Sequence, residues 1–307
     1  MKQFNNKPKV SVLMPVRNAG SFLVEALLSM QNQSYDNFEL ICIDDASTDG
    51  SYKTLKEFAR KDNRIRIYRN VVKKGIGASL NIAIRLAKGA YLARMDADDI
   101  SLPNRLKKQV ELLEKHPTLV ACGGQAAMID YKGRIFGYKR FPTDCNKLYP
   151  MIMRMIPLQH PILMARARVF KQYRYNEQAA TAEDVDMLFY LFSKGHVSNV
   201  DQVIYKYRKS SRSNGFHDVK KTFYITFMNR FRAIEKYGYN PTISGIMITL
   251  LQFLVVTLLP QKAVVSAFEF FRYERDWKKM LISRIRIPTL KFPIITNFNP
   301  KEVIVRA

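Results

Sequence analysis

Asp96, Asp98 and Asp99 fall within four positions of the segment YLARMDADD (91–99), with only Ala97 between the first two. Like charges packed this tightly repel unless a cation or a ligand's donors offset them. Mg²⁺ and Mn²⁺ are hard ions that take oxygen ligands and leave part of their shell to substrate phosphates, so such a loop suits a metal-bound phosphate. The alternative is a solvated acidic turn before a helix starting near Pro103, where negative charge complements the helix dipole. A second acidic pair, Asp44 and Asp45, ends the apolar run FELICIDD (38–45). A third, Glu183 and Asp184, precedes Val185, Leu188, Phe189 and Phe192, whose spacing is helical.

The elements that must position these groups alternate in type. VSVLMP (10–15), FELICIDD, RIRIYRN (64–70) and the run ending at the acidic cluster read as strands, and the segments 19–33, 52–60 and 78–87 read as helices. A β-α-β-α-β-α-β order with short links predicts an α/β fold with a mostly parallel sheet flanked by helices, binding ligands beyond the carboxyl ends of its strands. Asp45 and Asp98 both stand at such ends. No G-x-G-x-x-G follows the first strand and no G-x-x-x-x-G-K-[ST] occurs, which disfavours dinucleotide and P-loop readings. The loop KKGIG (73–77) is as compatible with an exposed turn as with a phosphate-facing helix start.

These residues carry a family resemblance. The run VSVLMPVRNAGSFLVEALLSMQNQSYDNFELICIDDASTDGS, then KKGIGASLNIAIRLAKGAYLARMDADDISLPNRLKKQVELLEKHP, resembles the nucleotide-sugar half of bacterial family 2 glycosyltransferases with the GT-A fold. It continues through QHPILMARARVF (159–170) and TAEDVDMLFYLFSKGHVSNVDQVIYKYR (181–208), covering about two thirds of the chain. The resemblance implies a metal-dependent, inverting hexosyl- or N-acetylhexosaminyltransferase of surface polysaccharide or lipooligosaccharide synthesis. Its donor would be a nucleotide sugar, with UDP expected, its acceptor a glycolipid or lipid-linked saccharide, and its cofactor Mn²⁺ or Mg²⁺. By the same resemblance Asp45 accepts a hydrogen bond from the base, with Pro15 and Arg17 lining the pocket. Asp96 and Asp98 form the D-x-D pair, and Asp98 with Asp99 touch the ribose and the metal. A metal suits the chemistry, because the leaving nucleoside diphosphate gains negative charge as the glycosyl bond breaks.

Asn81 and Arg94 are supporting candidates in this reading, Arg94 equally as a counter-ion for the cluster. Asp184 would be the general base for the acceptor hydroxyl, with Glu183 and Arg208 in support. The residues alone favour a helix start capped by Thr181, with Glu183 and Asp184 complementing the helix dipole. Where many relatives carry a histidine two residues after the YR pair, this chain has Ser210; His217 lies seven residues later. His160 is either an acceptor-side residue or a buried structural histidine.

Composition bounds the rest. In 307 residues, 47% apolar amino acids exclude global disorder. Cys42, Cys122 and Cys145 are too few and scattered for a disulfide framework, and MKQFNNKPKV has no apolar leader, so a cytoplasmic setting is expected. The 50 Lys and Arg outnumber the 26 Asp and Glu, and half of the +24 excess lies in residues 201–307. An anionic partner follows, nucleic acid or membrane. Within that basic third, ISGIMITLLQFLVVTLL (243–259) has no ionisable residue and is slightly short for a bilayer span, so an interfacial helix pair on an anionic membrane is expected ahead of a span or buried hairpin. The organisation read from this is a glycosyltransferase domain at 1–215, with a donor half at 9–130 and an acceptor half at 131–215. A membrane-associated helical segment follows at 216–282, then an extended arm at 283–307. The location expected is the cytoplasmic face of the bacterial inner membrane. Two rival readings, a sugar nucleotidyltransferase and a basic nucleic-acid-binding protein, lack respectively a glycine-rich first loop and a use for the acidic clusters.

Overall fold

Strand β1 (Val10–Val16) is buried along nearly its whole length and takes a parallel partner on each side, β2 (Phe38–Asp44) and β4 (Tyr91–Arg94). β2 pairs in parallel with β3 (Ile65–Arg69). Helices α1 (Phe22–Gln31), α2 (Ser51–Lys61) and α3 (Ile76–Leu86) are the crossovers. On α1 the buried residues Leu23, Ala26, Leu27 and Met30 repeat at helical spacing. Successive β1 side chains serve opposite faces: Leu13 joins a core with Ile41, Leu80, Leu188 and Phe189, while Val12 and Met14 join one with Leu23, Leu27 and Leu106. Two covered faces explain why these strands read as continuous apolar runs.

The computed structural model describes residues 8–178, 182–209, 219–261 and 263–264. They belong to one unit, Met1–Glu274. The arm expected at 283–307 lies outside the described residues, as do Thr181, Ser210 and His217.

The second half adds β5 (Ile100–Ser101), α4 (Arg105–Lys115), β6 (Leu119–Ile129), β7 (Ile135–Lys139), α5 (Cys145–Met151), β8 (Met164–Arg166), α6 (Ala167–Phe170), α7 (Glu183–Lys194) and β9 (His196–Arg208). The helices α8 (Val219–Tyr237) and α9 (Ile243–Leu258) follow. The sheet order is β3-β2-β1-β4-β8-β6-β9-β5, with β7 on β6. β1 to β4 are parallel as their alternation predicts, and the remainder makes the sheet mixed. β8 is antiparallel to both β4 and β6, and β9 is parallel to β6. Two reversals restore direction, so β6 and β9 end at the same edge as β1, β2 and β4. Short β8 therefore lets residues of the second half reach the carboxyl ends of β1, β2 and β4.

The opposite end is held by a buried polar network. Ser11 Oγ donates to Glu39 Oε1 at 2.6 Å and accepts from the backbone amides of Lys88 and Gly89 at 3.1 and 2.8 Å. Glu39 pairs with Arg66. A Cβ on Gly89 would lie 2.5 Å from Ser11 N and 2.8 Å from Val10 C, both backbone atoms that cannot rotate away. Gly89→Ala should therefore destabilise the protein by about 2 kcal/mol or more, measured as a lowered urea midpoint at unchanged m-value.

Candidate active site

The parallel register aligns Val16 with Asp44 and Leu13 with Arg94, so the chain leaves β1, β2 and β4 at one edge. There Asp96, Asp98 and Asp99 offer carboxylate oxygens that all lie within 4.8 Å of one another. Burial and the neighbouring Asp96 charge push the Asp98 carboxyl up to about 6. Burial, then Asp96 and Asp98, hold Asp99 well above the carboxylate range.

Two buried guanidinium groups support this loop. Arg94 pairs with Asp96 at 2.7 Å. Arg208, the last residue of β9, donates its backbone N–H to Asp99 Oδ1 at 2.7 Å and its Nε–H to the Asp98 carbonyl at 2.8 Å. The same side chain reaches Glu25 Oε2 at 2.7 Å and the carbonyl of Asp130, and its guanidinium stacks on Phe22 at 4.3 Å. Below them Arg105, fully buried over the Tyr205 ring, donates to the carbonyls of Arg94 and Pro161. Desolvation lowers its guanidinium to about 10. Arg105, Glu25 and Tyr205 are support that sequence reading missed. Glu25 and Tyr205 are each more than a hundred residues from the groups they hold, and Arg105, eleven residues from Arg94, reads in the sequence as an ordinary helix-start cation.

Asp99 tests whether a divalent cation fits. Its Oδ2 is buried and accepts no hydrogen bond among the described residues, while Oδ1 is already used. An orphaned carboxylate oxygen beside two further carboxylates is the donor set a hard cation requires. Asp98 and Asp99, with Asp96 beside them, are thus the residues that would hold Mn²⁺ or Mg²⁺.

Asp45 is also buried and is more committed than its position in the sequence suggests. Its Oδ1 accepts from Asn70 Nδ2 and the Lys74 amide, each at 2.8 Å, and its Oδ2 accepts from the Gly75 amide at 2.9 Å. The KKGIG loop is thereby anchored on Asp45 at the start of α3. Three of about four acceptor positions are used, leaving one for a ligand donor. Pro15 is the less buried residue of β1, and Arg17 donates to the carbonyls of Asp45 and Ala46. Asn18 and Ala46 both have positive φ, 48° and 54°, in the loops that follow β1 and β2. The two loops are bonded together, Thr48 N to Asn18 Oδ1 at 2.8 Å and Asn18 N to Ser47 Oγ at 3.0 Å.

Asn81 is spent on another segment. Its amide brackets Tyr175, donating to the carbonyl and accepting from the N–H at 2.9 Å each, and it also donates to Glu177. His160 is buried and bonded to Tyr175 Oη at 2.7 Å, and desolvation holds its pKa well below the usual histidine range. A neutral, partnered imidazole is what the structural alternative describes.

Glu183 and Asp184 open α7, and the preceding Ala182 has φ 60°. Helix α7 ends one residue before β9 begins, and β9 runs toward the ligand edge. The start of α7 consequently lies at the same end of the sheet as the acidic triad. Two residues on, Asp186 accepts from Tyr173 Oη, Tyr237 Oη and Lys236 Nζ at 2.8, 2.9 and 3.2 Å, which ties α7 to α8.

Comparison with known proteins agrees with this geometry. The model of the family "Glycosyl transferase family 2" matches residues 11–177. EpsE of Bacillus subtilis (strain 168), which bears a glycosyltransferase name, is 38% identical over 213 residues, covering 67% of this chain and 75% of EpsE. The uncharacterised glycosyltransferase MJ1057 of Methanocaldococcus jannaschii is 30% identical over 222 residues, 70% of this chain and 76% of that protein. Among solved structures, S. aureus TarS 1–349 with UDP-GlcNAc superposes with a TM-score of 0.58 at 20% identity, over 72% of this chain and 66% of that one. Mannosyltransferase PcManGT from Pyrobaculum calidifontis, with GDP-Man and Mn²⁺, superposes with a TM-score of 0.61 at 17% identity, over 91% and 80%. The structural likeness establishes the GT-A fold.

A pH dependence follows from the raised carboxyls. As pH rises through about 6 the metal-free folded state loses the Asp98 proton and the carboxylate repulsion grows; below it, protons held by Asp98 and Asp99 relieve that cost. Bound cation competes with those protons. The rise in Tm caused by Mn²⁺ should be large near pH 8 and close to zero near pH 5, read by thermal melts with and without the metal.

Proposed function

Since the chain belongs to glycosyl transferase family 2, we propose that it moves a sugar from a nucleotide donor, UDP-linked, to a hydroxyl of a lipid-linked or glycolipid saccharide at the cytoplasmic face of a bacterial inner membrane. The carrying observation is the triad of carboxylates with one orphaned buried oxygen, at the ligand edge of a GT-A sheet. UDP-GlcNAc bound to the TarS structure supports the choice of nucleotide. GDP-Man bound to PcManGT keeps guanine as the competing base.

In this reading the free acceptor position on Asp45 takes the N–H of the base. Pro15 and Arg17 flank it, with Arg17 fixed by its bonds to the β2 loop. Asn81 contributes indirectly by holding the 175–177 segment against α3. Asp98 and Asp99 would hold a divalent cation, which would neutralise the charge that grows on the departing diphosphate. Asp184 removes the proton of the acceptor hydroxyl as that oxygen bonds to the anomeric carbon and the bond to phosphate breaks. Attack from the face opposite the leaving group inverts the anomeric configuration. The topological position of the α7 start supports Asp184 in this role, and the ties made by Asp186 keep that start in place.

A donor screen that measures release of UDP, GDP or TDP tests the reading. Asp98→Asn and chelation by EDTA should each lower turnover by orders of magnitude while circular dichroism stays native. Asp184→Asn should abolish transfer yet keep the nucleotide affinity of the parent, since the base acts on the acceptor. Undiminished turnover in EDTA, or normal transfer by the Asp184 variant, overturns the mechanism.

A further inference from the structure

The uncharged run of the sequence forms α9, and most of its apolar side chains are not in the core. Ile243, Met247, Leu250, Leu251, Leu254 and Leu258 are 45–83% exposed. At 100° per residue they fall within an arc of about 100° on one side of the helix. The buried residues Gly245, Thr249 and Val256 lie on the opposite side. That inner face is fixed to the protein. Thr249 Oγ donates to the Met153 carbonyl at 2.6 Å, and Gln252 Nε2 to the Arg154 carbonyl at 3.0 Å. Arg230 NH1 on α8 donates to Gln252 Oε1 at 2.8 Å.

We propose that this face of α9 lies in the headgroup region of an anionic phospholipid bilayer and docks the enzyme there. Three observations favour that occupant. A contiguous apolar stripe of this size is costly in water, so something covers it. Charge favours an anionic surface: residues 219–264 hold six Lys and Arg against one carboxylate, Glu235, and of the described ones only Arg230 is buried. Cations stand at both ends of the helix, Arg154 bonded to Ser244 at 3.2 Å and Lys220 to the Thr257 carbonyl at 3.5 Å. Finally, α9 has 16 residues, about 24 Å of helix against a hydrocarbon core of about 30 Å. No helix among the described residues is long and apolar enough to cross a membrane. A span would also break the polar bonds of Thr249 and Gln252, whereas lying flat keeps them and immerses only the exposed arc. The inner face is bonded to residues 153–154, six residues before the 3-10 turn His160–Ile162 that pairs alongside β4. Docking through α9 therefore sets the acceptor half at a fixed height above the lipid. This deepens the proposed function by naming the surface that meets the acceptor's membrane, and it rests on that reading only for the acceptor.

The test is flotation of the detergent-free full chain with vesicles of pure phosphatidylcholine or of phosphatidylcholine with 30% phosphatidylglycerol. Wild type should float with the anionic vesicles, be partly released by 0.5 M NaCl, and bind neutral vesicles weakly. The double variant Leu251→Asp/Leu254→Asp should lose about tenfold or more in partitioning. Its melting temperature and nucleotide affinity should remain those of wild type, because both sites are exposed. The proposal is overturned if wild type ignores anionic vesicles, or if the variant floats equally well. It also falls if wild type is a lipid-indifferent dimer that the variant dissociates, making the face a subunit contact, or if only detergent extracts it, making it a span. Nucleotide binding measured without vesicles separates failure here from failure of the transferase reading.

Discussion

Three carboxylates with ligand oxygens within 4.8 Å of one another can persist in a partly buried loop only if their repulsion is offset. Arg208 makes the offset structural. It arrives from the last position of β9, more than a hundred residues away, and bonds the loop through its backbone as well as its guanidinium. Glu25 and Phe22 on α1 hold the other side of that guanidinium, so the first helix, the acidic loop and the last strand share one buried cation. The compensation is incomplete. Asp98 and Asp99 keep raised proton affinities, and this residual imbalance is what a divalent cation would cancel.

The path of the sheet follows from the same need. A wholly parallel continuation would require a long crossover for every added strand. The short β8, entered from a 3-10 turn and antiparallel to both neighbours, restores direction in few residues. β6 and β9 then finish beside β1, β2 and β4. Backbone strain gathers at this edge: Asn18, Ala46 and Ala182 are the non-glycine residues with positive φ among those described, and they sit after β1, after β2 and before Asp184. Each costs of order 1 kcal/mol or more, a cost carried where chain direction must change to aim functional groups.

Helix α8 joins the main core through Ala233, and α8 and α9 pack on each other around Phe223 and Val256. Asp186, Tyr173, Tyr237 and Lys236 lock α8 to α7, and α9 is bonded to the 153–154 segment. The result is a rigid unit whose outermost face is apolar. Helix α9 carries polar bonds on one side and uncharged, exposed side chains on the other.

What the sequence determined was whatever depends on local pattern. Apolar runs covered on both faces marked β1, β2 and β4, the helical spacing of Leu23, Ala26, Leu27 and Met30 marked α1, and acidic strand ends marked the edge where the carboxylates gather. The D-x-D spacing stood out because like charges so close in sequence must be close in space. Tertiary structure alone decided what depends on partners distant in the chain. It bound Asp45 to the loop at Lys74 and Gly75, gave Asn81 to Tyr175, made His160 a neutral partner of Tyr175 Oη, and buried Arg105 under the triad. It also decided which side of the uncharged run faces outward. A hydrogen bond to a residue a hundred positions away has no period and no spacing, so it leaves no mark on the sequence until the sheet brings its two ends together.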